Sequence, residues 1–122
     1  MEAKNLLKRC IDLDREYNIL LEVSEDRLGM FRTQYAEGIF NNEVFLEATQ
    51  LNKKAFDLLV KKSKYKLAVM GQITKINDRA QRLALLGTYL NSNMCSKVEE
   101  FSSDDLQKGI QALDEVLGNK HA

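Results

Sequence analysis

Apolar residues recur three or four positions apart along almost the whole chain, the spacing of helices with one buried face. Leu6, Cys10, Leu13, Tyr17, Leu20 and Leu21, followed by Leu28, Phe31 and Tyr35, predict a first helix over about residues 3–36. Gly38 follows the last of these, where a helix end of left-handed conformation favours glycine. In the stretch EGIFNNEVF, Asn41 suits the N-cap of a second helix, because its side-chain oxygen can accept an orphan backbone N–H. Phe40 and Phe45 then take the two positions of a hydrophobic staple. A link this short makes the two helices antiparallel neighbours.

The second helix is unusually long. From Val44, Ala48, Leu51, Ala55 and Leu58 through Tyr65, Val69, Ile73, Ile76, Ala80, Leu83 and Leu90, the spacing is broken only at Lys62 and Gly87. One helix over 42–92 would be roughly 75 Å long at 1.5 Å per residue. Gly71 disfavours helix by about 1 kcal/mol relative to Ala, yet the stripe keeps its phase across it, so a continuous helix is expected. A bend at Gly71 into a compact bundle is the alternative. Phe56, Leu59, Val60, Leu67 and Met70 add a second apolar edge to the middle of this helix. Residues 91–102, NSNMCSKVEEFS, read as a connection. Ser102 or Ser103 can cap a third helix over 103–117, with Asp104 and Asp105 in its first turn, where the helix dipole favours acids. Leu106, Ile110, Leu113 and Leu117 form its apolar face, and Gly118 is expected to end it.

The expected fold is therefore all-α, a single domain over residues 1–122. It is a long antiparallel helical hairpin plus a short third helix, coiled-coil-like. A hairpin covers one face of each helix only. The wide apolar middle of the second helix then predicts self-association, most simply a two-fold dimer forming a four-helix bundle.

Composition agrees with this class. Apolar residues make up 44% and charged residues 30%, which excludes a disordered chain. There is no proline to break a long helix. The charged N-terminal stretch is not a signal peptide, and no apolar run approaches 18 residues, so a cytoplasmic protein without a membrane role is expected. Cys10 and Cys95 lack the CxxC spacing of redox or metal sites and read as reduced thiols.

Net charge is zero, but its distribution is uneven. Residues 53–82 hold nine Lys or Arg and two acids. On a continuous helix, Lys53, Lys54, Lys61, Lys64, Lys75, Arg79 and Arg82 fall within an arc of roughly 100°. Such a stripe could follow a nucleic-acid backbone. It could equally be matched from within, since residues 11–50 carry nine acids against three bases. In an antiparallel hairpin whose facing numbers total about 80, Asp12, Asp14, Glu16, Glu22, Glu25 and Asp26 lie opposite the basic stretch. Asp114 and Glu115 could flank Arg79 and Arg82. Internal matching or a solvated face ranks ahead of nucleic-acid binding, because no phosphate-cradling loop, aromatic stacking row or zinc knuckle accompanies the stripe.

No catalytic, metal or cofactor site is expected. His121 is the only histidine, without metal-ligand partners, and no Glu-x-x-His pair, GxxxxGK[ST], GxGxxG or GxSxG occurs. The expected function is that of a non-enzymatic helical interaction protein, meaning a small adaptor, assembly factor or chaperone. Its expected contacts are Phe56, Leu59, Val60, Leu67 and Met70, with Phe101 as a second element, and its partner is another protein or a second copy. In size and helical outline the chain resembles the small export chaperones of flagellar and type III secretion systems, a likeness of architecture only. The alternatives are a nucleic-acid-associated accessory protein using the basic stripe, and an inhibitor or immunity protein that masks a target.

Overall fold

The computed structural model describes residues 2–90 and 103–120, and every regular element among them is helical. Helix α1 spans Glu2–Ala36, α2 Asn42–Ile73, α3 Arg79–Leu85 and α4 Ser103–Lys120. A π-helical turn, Leu86–Leu90, continues directly from α3. Residues 91–102, including Phe101, Cys95 and the proposed cap Ser102, lie outside the described residues.

The α1–α2 link forms as its sequence dictates. Gly38 has φ +83°, the left-handed conformation. Its N–H donates to Tyr35 O at 3.0 Å and the Ile39 N–H to Gln34 O at 2.9 Å, the crossed pair that closes a helix C-terminus. Asn41 Oδ1 accepts the Val44 N–H at 3.2 Å, the N-cap bond of α2. Phe40 and Phe45 then meet as a staple, ring centroids 6.1 Å apart.

The continuous helix expected over 42–92 does not form. Helix α2 ends at Ile73 and tightens as it ends, with Lys75 N–H donating to Gln72 O and Ile76 N–H to Ile73 O, three residues back. Gly71 lies inside the helix, not at the break. The cause is polar competition for the backbone. Thr74 Oγ1 donates to Gly71 O at 2.7 Å. Asp78 adopts an extended conformation and caps α3, its Oδ1 accepting the Gln81 N–H at 3.1 Å. The Arg82 guanidinium donates to the carbonyls of Ile76 and Asn77, holding the link closed. The apolar spacing runs through the break because Ile76, in the link itself, is buried. At the other end, α4 runs through Gly118 to Lys120 instead of stopping at Leu117.

The chain divides into two compact units. The first comprises the described residues of Met1–Asp12 and Ser63–Ala122. Its core is Leu7, Ile73, Leu85 and Leu113, all wholly buried, with Cys10 and Leu117 beside them. Helices α3 and α4 approach closely at Gly109, where an added Cβ would lie 3.1 Å from Leu85 Cγ and 3.2 Å from Gln81 O. Two long-range hydrogen bonds fix the start of α1 in this unit. The Ala3 N–H donates to Asp114 Oδ1 at 2.9 Å, and Tyr65 OH donates to Leu6 O at 3.2 Å.

The second unit is Leu13–Lys62, an antiparallel pair made from parts of α1 and α2. Asp14 meets Lys62, Arg27 meets Glu47 and Phe31 meets Phe45, a register slightly short of the expected total of 80. Its buried apolar residues are Leu13, Val44, Ala48 and Ala55, mostly small, and Asp14 and Ser24 are buried with them. Ten of the thirteen large apolar side chains that stand exposed among the described residues are here, so uncovered apolar surface is concentrated in this unit.

Candidate interaction surfaces

The apolar residues expected to meet a partner are largely open to solvent. On α2, Phe56 is 63% exposed and Leu67 65%, with Val60 and Met70 also exposed, while Leu59 is half-buried. Phe56, Leu59 and Val60 belong to the second unit, Leu67 and Met70 to the first. Large apolar groups left in water are an unfavourable arrangement unless something covers them.

A set missed by sequence reasoning lies at the turn of the second unit. Phe31 sits among Tyr35, Phe40 and Phe45, its ring centroid 6.1, 5.4 and 5.1 Å from theirs. Tyr35, Ile39, Phe40 and Leu46 are each more than half exposed. Phe40 and Phe45 read as a staple, and they are one. The further signal was the density of apolar residues, including Ile39, in a link of only five residues between α1 and α2.

Each unit also carries a shallow groove. In the first, Leu6, Tyr65, Val69, Leu113 and Leu117 line a mostly apolar hollow of about 290 Å³. In the second, Leu21, Ser24, Leu28, Phe45, Ala48 and Thr49 line one of about 310 Å³.

The basic stretch divides in two. Lys53, Lys54, Lys61 and Lys64 share α2, are exposed, and make no ion pair among the described residues. Lys75, Arg79 and Arg82 lie beyond the end of α2, so the seven cations do not form one helical stripe. Lys75 reaches Gln72 Oε1 at 3.4 Å, and Arg82 is committed to the link carbonyls. The expected internal matching is mostly absent too. Asp14 pairs with Lys62 at 3.2 Å, but Asp12, Glu22, Glu25 and Asp26 make no ion pair among the described residues. Asp114 receives the Ala3 N–H and makes no ion pair to Arg79 or Arg82. Being level along two helices is not enough for contact; the side chains must also point toward the shared seam, as those of Asp14 and Lys62 do. That pair is shielded, at 4% and 14% side-chain exposure, and Lys62 Nζ also lies 4.3 Å from the centroid of the Tyr17 ring.

Among the described residues no group of three His, Cys, Asp or Glu is placed to hold a metal ion, and no helix is long and apolar enough to cross a membrane. Comparison with known proteins finds no family model that matches the chain, and no curated protein or solved structure significantly similar to it.

Proposed function

We propose that this chain is a non-enzymatic helical interaction module, a small adaptor, assembly factor or secretion-type chaperone of the cytoplasm, that works through exposed apolar helix faces. The exposure of Phe56 and Leu67 on α2 carries this reading. A buried large side chain stabilises by about 1.5–3 kcal/mol relative to an exposed one, so a partner that covers either position gains by it. The same surface suits a second copy of the chain, and self-association into a helical bundle is part of the proposal. Tagged protein captured from native lysate, with and without nuclease, tests it. A stoichiometric protein partner that survives nuclease and is lost with Phe56→Ser and Leu67→Ser is expected. Recovery that collapses on nuclease treatment would sink the reading.

One observation favours a second reading. Lys53, Lys54, Lys61 and Lys64 are exposed cations on one helix without ion-pair partners among the described residues, as phosphate contacts require. Nucleic-acid binding through them predicts affinity that falls steeply between about 50 and 200 mM salt and is abolished by Lys61→Glu with Lys64→Glu. Affinity indifferent to both changes would exclude it.

A further inference from the structure

The turn of the second unit forms an apolar tip. Within residues 30–46, Met30 is 43% exposed, Tyr35 64%, Ile39 52%, Phe40 60%, Phe45 41% and Leu46 51%. Nearly half of all exposed large apolar side chains among the described residues are gathered there. The tip is firmly built. Phe31 packs against three aromatic rings beneath it, Gly38 closes α1 in the left-handed conformation, and Asn41 caps α2. A surface shaped in advance loses little conformational freedom on docking.

We propose that two copies of this chain dock tip to tip about a two-fold axis, burying Tyr35, Ile39, Phe40 and Leu46 of each against those of the other. The proposal rests on the self-associating form of the function above and assigns it a place. Charge selects this occupant. Arg32, Glu37 and Glu43 ring the tip, all exposed and without an ion pair among the described residues. A two-fold contact repeats every cross-pair, so a rim holding both signs is able to complement itself twice. The same rim has more acid than base and would be repelled by an anionic surface. Area sets the strength of the contact. At roughly 200 Å² per large side chain, the exposed fractions of Tyr35, Ile39, Phe40 and Leu46 amount to about 450 Å² from each copy and about 900 Å² in the pair, the size of a weak, reversible interface.

Sedimentation equilibrium of the purified chain from about 1 to 100 µM tests this. The wild type is expected to dimerise, and Ile39→Ser with Leu46→Ser to be monomeric at unchanged helix content by circular dichroism. Both side chains are more than half exposed and lie outside the aromatic cluster of Phe31, so their replacement leaves the packing of the tip intact. Arg32→Glu is expected to weaken association at least tenfold, and adding Glu37→Arg and Glu43→Arg to restore it. A tip variant that dimerises like the wild type overturns the proposal while leaving self-association through α2 standing. A wild type that is monomeric throughout also overturns it, and lysate capture then decides separately whether the tip or α2 serves a different protein.

Discussion

Asp14 and Lys62 set the strongest polar constraint at the scale of single residues. The pair is shielded from water, and Lys62 lies over the Tyr17 ring as well. Shielded pairs add little net stability against apolar replacements, but removing one partner takes a counter-charge from the other in a site shielded from water. Lys62→Met is therefore expected to destabilise the chain by about 3 kcal/mol in urea unfolding, and Asp14→Leu with Lys62→Met to recover most of it. A single variant as stable as the wild type would show that the pair does not hold the register. Tyr65 offers a test by pH. Burial, and then neighbouring Cys10, push its phenol above the ordinary 10.0, with Arg9 pulling the other way. The protonated phenol is thus favoured in the fold, where it donates to Leu6 O. Its contribution is fully present below pH 10 and lost as the pH rises through the raised folded value. Tyr65→Phe is expected to cost about 1 kcal/mol at neutral pH and to make alkaline unfolding less steep above pH 10. An unchanged alkaline profile would assign that loss to other groups.

Two glycines within elements have opposite expected consequences. Gly109 lets α4 approach α3, and the 3.2 Å contact that a Cβ would make there is with a backbone carbonyl, which cannot swing aside. Gly109→Ala is expected to lower stability by about 1–2 kcal/mol despite the better helix propensity of Ala. Gly71 has nothing within 4 Å of its would-be Cβ. Gly71→Ala is expected to raise stability by about 0.5–1 kcal/mol, and thermal melts of the two variants compare them directly. This contrast also shows what sequence could and could not reveal. The end of α1, the cap on α2 and the staple were legible because each depends on residues a few positions apart. The break after Ile73 was not, although Asp78 and Gln81 have capping-box spacing. Ile76 kept the apolar rhythm going, and the bonds from Arg82 to the link carbonyls arise only once the chain has turned. Phe56 and Leu67 were legible as surplus to a hairpin seam. The tip was not, because a staple accounted for Phe40 and Phe45 without revealing how much of them stays in water.

Across the whole chain the two units differ in how well they bury what they hold. The first encloses Leu7, Ile73, Leu85 and Leu113 completely. The second has Leu13 alone among its large apolar side chains buried to that degree and leaves ten exposed. Two helices have one seam between them, and the small residues in this one, Ala48, Ala55 and Ser24, allow close approach at the expense of apolar area. The second unit should therefore depend on association for part of its stability. Binding that favours the folded state raises stability with concentration, by about 2.7 kcal/mol at a hundred times the dissociation constant. Amide exchange at low and high protein concentration is the discriminating measurement. Amides of 44–62 are expected to gain protection as concentration rises, while those of 103–117 change little. Equal gains in both stretches would mean that the units open together, and the apolar surface of the second would then stabilise the chain as a whole. No gain in either would place the self-associating surface outside both stretches or remove it altogether.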